Sequence, residues 1–409
     1  MTTHRVTSPP ANPVVDLARS WSRFWFSPAD PTLLGLIRIC CGLVTLYVHA
    51  AYTADLRQFF GPDAWVDRQT MDQVRHGMPW VRLHWGWEEL QVPPKQPPRD
   101  KPPKPSDASL LTPEQAEYAR QHWPTDPRAI PPYYRGYIAW SVWYHVHDET
   151  WMWVVHASTL VIMFLFTIGF CTRVTSVLTW LAAVSYIQRS LTSLFGQDTM
   201  MNILLLYLMV GPSGSALSVD RLLRRWWAVR QARKKHQQPP PWLPPPPSVS
   251  ANVALRLIQF NLCFIYLVSA LSKLEGKTWW DGTAIWLTLA NYEFSPMRNP
   301  GYAAFLRFLC DHRPLWSFVM GGGVIFTFMV ELGFPFLVWN RRLRWLMITL
   351  AVAMHTGIAL SMGLRTFSMM MIVMDLSFVP QPVVHRLLGM LREKVRLLTE
   401  GLLPGMTNS

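Results

Sequence analysis

Hydrophobic and polar positions alternate along this chain in long blocks, not with the two-residue period of a half-buried strand. Eight apolar runs stand out: "LLGLIRICCGLVTLYVHAA" (33–51), "MWVVHASTLVIMFLFTIGF" (152–170), "VTSVLTWLAAVSYI" (174–187), "MMNILLLYLMVG" (200–211), "VALRLIQFNLCFIYLVSAL" (253–271), "FVMGGGVIFTFMVELGFPFLVW" (318–339), "WLMITLAVAMHTGIALSMG" (345–363) and "FSMMMIVMDLSFV" (367–379). A helix that crosses a bilayer needs about 20 apolar residues, so the runs at 200–211 and 367–379 are the shortest for the task. The pattern predicts an all-α integral membrane protein, a bundle of about eight transmembrane helices. Its segments are 1–32, a first group of four spans over 33–212, a basic and Pro-rich linker over 213–252, a second group over 253–380, and a basic tail over 381–409.

Two regions between the runs belong to the opposite side from that linker. The loop 52–150 contains "QVPPKQPPRDKPPKPSD" (91–107), too rich in proline for a helix or sheet core and read as disordered. It ends in "YYRGYIAWSVWYHVHDETWMW" (133–153), which predicts an interfacial helix with its rings at headgroup depth. The second region, 273–316, is a cap discussed below.

Charge supports this division. Only 15% of the 409 residues are charged, against about a quarter in soluble domains, and there are 21 tryptophans. The net charge of +13 sits beside apolar runs, in "RLLRRWWAVRQARKKH" (221–236), "NRRLR" (340–344) and "HRLLGMLREKVR" (385–396). That is the positive-inside arrangement of a membrane protein, whose partner is lipid and not nucleic acid. With 221–236 cytoplasmic, an eight-span count puts "CTR" (171–173), "NRRLR", Arg5, Arg19, Arg23 and both termini on the same side. The N-terminus has no apolar core of the signal-peptide kind, so the first span is expected to act as its own insertion signal. Five scattered cysteines without a CxxC or a His/Cys cluster support neither a zinc site nor a disulfide framework, and no metal is expected.

Charges at membrane depth cost about 2.5–3.5 kcal/mol each on insertion scales, so each needs a reason. The candidates are Arg38, Asp198, Arg256, Lys273, Glu331, His355 and Asp375. Arg38 and Arg256 read as structural partners, with Asp375 as the counter-charge for one of them. In the fifth run Arg256, Gln259, Cys263, Tyr266, Ala270 and Lys273 follow helical spacing on one face, with Leu257, Phe264, Ile265, Val268 and Leu271 opposite. This polar stripe predicts a face turned to other helices or a cavity, ending at Lys273. Then "GKTWWDG" breaks the helix at Gly276 and at Asp281-Gly282. A broken aromatic segment at that depth is tolerated where protein buries it, so 275–290 reads as a re-entrant or interfacial cap. Trp279 and Trp280 are expected to wall a pocket with Lys273 in its floor. The lysine either snorkels to phosphate or serves as a desolvated neutral amine able to take a proton. Glu331, four residues before Pro335, and His355 in mid-span either pair across helices or relay a proton.

"YLVSALSKLEGKTWWDGTAIW" (266–286) resembles the signature of the horizontally transferred transmembrane domain, the membrane part of vitamin K-dependent gamma-glutamyl carboxylase. "GFCTRVTSVLTWLAAVSYIQRS" (169–190), "LSVDRLL" (217–223) and "ELGFPFLVW" (331–339) are similar to other stretches of that family, and together the likeness covers roughly residues 20–395. The resemblance implies an outer-facing site where a reduced vitamin K or another quinol reacts with oxygen. The base so formed removes a glutamate γ-proton, and carbon dioxide adds. It implies Lys273 as the base that deprotonates the quinol. The family has a histidine before the fourth span where this chain reads "LFGQDTMMN", with Gln197 and Asp198. It also continues into a large soluble region, whereas this sequence runs only to Ser409, so docking of a peptide or protein substrate would fall to 52–150 or to another chain. The expectation is therefore a quinol-coupled carboxylase, a lyase. The alternative is a non-enzymatic protein that handles small molecules or peptides and keeps the cavity without the reaction. A transporter is disfavoured by the lack of paired broken helices in an inverted repeat.

Overall fold

Ser248 starts the longest helix. Its hydroxyl accepts from the amide of Ala251, and with this N-cap in place the apolar run beyond winds without a break for 27 residues. In the computed structural model the described residues are 13–61, 64–66, 141–146, 148–190, 194–293 and 295–402, the last eight by their helix alone. Among them every regular element is helical. In chain order the helices are α1 Pro13–Phe26, α2 Thr32–Ala51, α3 Leu56–Phe60, α4 Glu149–Ile168, α5 Thr172–Arg189, α6 Gly196–Val210, α7 Val219–Lys234 and α8 Val249–Glu275. There follow α9 Lys277–Trp280, α10 Ala284–Leu289, α11 Pro300–Asp311, α12 Arg313–Leu337, α13 Arg344–Ser361, α14 Arg365–Asp375 and α15 Gln381–Leu402. Short 3-10 turns lie at Val142–His145 and Leu376–Phe378.

Among the described residues five helices are long and apolar enough to cross a membrane: α2, α4, α8, α12 and α13. A sixth appears if Arg365–Phe378 and Gln381–Lys394, which meet at 112°, are counted as one broken span. The runs at 200–211 and 367–379 form helices of 15 and 11 residues, short of a full crossing. These five are compatible with a multi-pass membrane protein. On α12 the outward residues Phe318, Ile325, Met329 and Phe336 are all more than 60% exposed, an apolar stripe.

The described residues divide between two compact units, one drawn from 1–51, 157–183 and 194–409, the other from 52–156 and 184–193. In the first, α8 packs on α12, α1, α6 and α14, and α13 packs on α14 and α12. The core holds Leu34, Ile37, Leu204, Ile258, Phe334 and Met370 among others, all fully buried.

The second unit has its own core of Leu56, Phe60, Trp143, Met152 and Tyr186. Ser141 donates to the Ser185 carbonyl at 2.7 Å, and Tyr144 donates to that of Gln188 at 2.7 Å. This corrects the interfacial helix expected over 133–153. Its described part is a 3-10 turn followed by the start of α4, and Trp143 and Tyr144 are buried in protein. The Pro-rich 91–107 and residues 133–140 lie outside the described residues.

Candidate functional site

The polar stripe of the fifth run is the inward face of α8. Gln259, Cys263, Tyr266 and Ala270 are buried, while Phe264 and Val268 are 59% and 58% exposed. The stripe ends on a closed set of hydrogen bonds. Lys273 Nζ lies 2.8 and 2.9 Å from the two carboxylate oxygens of Glu331 and donates to Ser269 Oγ at 2.6 Å. Ser269 in turn donates to Glu331 at 3.1 Å. The side chains are 22% and 7% exposed, so the pair is sheltered from bulk water. The lysine is therefore not a free snorkelling cation: its amine is engaged by the Glu331 carboxylate and by Ser269.

A second couple lies deeper. Tyr266 OH and His355 Nε2 are 2.9 Å apart, both residues almost fully buried, and His355 Nδ1 has no partner. Both couples line a cavity of about 860 Å³ whose other walls are mostly apolar, including Ile265, Ile285, Phe326, Met354 and Phe367. Asn261 also lines it, with a buried and unpartnered Oδ1. Since Phe264 and Val268 belong both to the lining and to the exposed surface, the cavity reaches the outside of the bundle through an apolar wall.

The cap is built as its breaks require. Gly282, at φ +75°, takes the left-handed turn that a β-carbon disfavours, and Asp281 holds the turn by accepting from Thr283 Oγ1 at 2.6 Å and its amide at 3.0 Å. Those bonds keep the exposed Asp281 carboxyl below its ordinary range. A β-carbon at Gly323 would come within 3.1 Å of Ile285, so the glycine lets α10 lie close on α12. Trp279 lines the cavity and stands with its ring 5.4 Å from Lys273 Nζ, in cation–π range.

Trp280 corrects the other half of that expectation. It is 73% exposed, donates to the Leu274 carbonyl at 2.6 Å and does not line this cavity. Gln197 and Asp198 also stay out of the cavity. Thr366 donates to Gln197 at 2.5 Å, and Asp198 accepts from the Phe195 amide at 2.8 Å as a helix cap. The site therefore keeps Lys273, Tyr266, Trp279, Glu331 and His355. It adds Ser269, which sits four residues before Lys273 on the same helical face and was legible from that spacing.

Asp375 is the counter-charge of neither arginine. Arg38, fully buried, donates to the carbonyls of Ser213, Ala216 and Leu217 at 2.7, 3.5 and 2.5 Å. Arg256 donates to Gln259 Oε1 at 2.9 Å and lies 4.0 Å from the Phe24 ring centroid. Near Arg38, Asp220 of "LSVDRLL" accepts from the amides of Cys171 and Thr172 at 2.6 and 2.8 Å. Two stretches that carried the resemblance thus meet at a structural lock, away from the cavity. Comparison of the chain with protein-family models, with curated proteins and with solved structures gave no match.

Proposed function

We propose that this protein is a multi-pass membrane protein of the carboxylase-like family named above. On this reading it crosses the bilayer about eight times with both termini cytoplasmic, and it binds an apolar molecule with a neutral hydroxyl head in the α8–α12–α13 cavity. The observation that carries the reading is the pairing inside the cavity. Lys273 is matched by Glu331, so the lining is close to electroneutral and suits a quinol better than a fatty acid or a phosphate.

Reduced vitamin K or another quinol held there would supply, with oxygen, the base strength to remove a carbon-bound proton before carbon dioxide adds. The chain's own part is to orient the hydroxyl, keep water out and accept its proton. Trp279 lies beside Lys273 at the cavity wall, and the Lys273–Glu331 couple takes the proton at a Glu331 carboxylate oxygen, with the Lys273 ammonium holding that carboxylate in place. A peptide or protein carrying the glutamate would be the second substrate.

Purified protein given reduced vitamin K, oxygen and labelled bicarbonate is expected to form quinone epoxide and fix label into a glutamate-containing peptide, and Lys273→Ala is expected to abolish both. If quinol quenches Trp279 fluorescence but no quinol tested yields epoxide, the non-enzymatic alternative takes its place. That second reading is favoured by the same Glu331, which occupies the amine a base would need. The orientation has its own test. With Cys171 and Cys310 replaced, Thr278→Cys is expected to react with an impermeant thiol reagent on intact cells, and reaction only after lysis would reverse the topology.

A further inference from the structure

One helical turn below the cavity lies a carboxyl group that the proposed function does not use. On α14, Phe367 and Met371 line the cavity, and the next residue on that face is Asp375. On α8 the cavity-lining Tyr266 is followed, three and seven residues back, by Cys263 and Gln259. The two faces continue into a polar layer beneath the floor. Asp375 is 1% exposed, and among the described residues neither of its oxygens has a hydrogen-bond partner. Ser377 Oγ is also buried and unpartnered, while Ser377 O accepts from Gln259 Nε2 at 2.7 Å.

The helices packed against α14 offer no cation. On α2, Arg38 is committed to loop carbonyls, and Cys41 lies 3.9 Å from Thr45 Oγ1. On α13, His355 is bonded to Tyr266, and on α6 the nearest titratable group along the helix is Tyr207. On α8, Arg256 donates to Gln259 Oε1 and lies over the Phe24 ring, and the face that continues from it carries Cys263 and Tyr266, while Arg344 at the start of α13 donates to the Val338 carbonyl at 3.3 Å. An ionised carboxylate with no cation and no donor, inside a bundle, costs so much that the group takes a proton instead.

We propose that Asp375 is an intramembrane proton-binding site, occupied at neutral pH and placed directly beneath the cavity. The assignment rests on burial and missing partners, and it stands whether or not the cavity binds a quinol. If the quinol reading holds, the site is a proton store one turn from the place where a proton is removed. The neutral acid needs no counter-ion in the fold, whereas unfolding exposes it to water, where it ionises. The folded state therefore binds the extra proton, and stability falls as pH rises through the neutral range.

The infrared spectrum of the purified protein at neutral pH is expected to contain a protonated-carboxyl carbonyl band that Asp375→Asn removes. The folded-to-unfolded ratio of wild type is expected to fall up to tenfold per pH unit between about pH 5 and pH 7 relative to that variant. A spectrum with only carboxylate bands, together with parallel stability profiles, overturns the proposal. Should the variant not fold, wild type treated with an apolar carbodiimide decides the matter, because that reagent couples to protonated carboxyls in apolar sites. An adduct at Asp375 whose formation slows on alkalinisation supports the assignment, and an unmodified Asp375 refutes it.

Discussion

Glu331→Ala is expected to destabilise the fold by about 3 kcal/mol, read as a lowered thermal midpoint of the purified protein. The reason is the asymmetry of a sheltered ion pair. Removing the carboxylate leaves the Lys273 ammonium with Ser269 alone and only 22% of its side chain in reach of solvent. The charge then either stays poorly solvated or is lost, and both cost free energy. Replacing the pair together, as Lys273→Met with Glu331→Leu, removes the charge and the need for its partner, so most of the stability should return. The double variant is the more informative one. A folded protein with wild-type stability and no quinol turnover or binding would show that the pair serves the ligand. Retained binding would show that it serves only the bundle.

Arg38→Met should cost a similar amount, about 3 kcal/mol, for a different reason. Here the neighbouring carboxylate, Asp220, keeps the amides of Cys171 and Thr172 as donors. The guanidinium holds the Ser213–Leu217 loop by its carbonyls, and an apolar side chain leaves those acceptors buried without donors. Arg38→Lys should recover little, because an ammonium is a compact point charge and cannot fork to Ser213 and Leu217 at once. Measured by the same thermal midpoint, a Lys variant as stable as wild type would mean that the charge, and not the geometry, holds the loop.

How much of this was written in the linear order of residues depends on the range of the signal. The inward face of α8 was legible because residues three and four apart share a face whatever surrounds them. So were the breaks at Gly276 and Gly282, since backbone freedom is a local property. The Lys273–Glu331 couple was not, because its members are 58 residues apart and meet only when α8 packs on α12. The two tryptophans illustrate the limit at its smallest scale. Neighbours on a helix point about 100° apart, so Trp279 and Trp280 could not both face one cavity, and chain order alone does not say which one does. Asp375 was misread for a related reason. Its sequence announced a costly charge and invited a search for a cation, while among the described residues its oxygens have no hydrogen-bond partner.

The half-exposed wall formed by Phe264 and Val268 bears on how any affinity for this cavity must be expressed. If the chain lies in a bilayer as proposed above, that wall would face acyl chains, an entering molecule would be drawn from the lipid phase, and occupancy would follow its mole fraction there and not its amount per litre of buffer. Doubling the vesicles at constant total ligand would halve that fraction and lower the occupancy, with no change in the protein. Micelles would act as a competing reservoir in the same way.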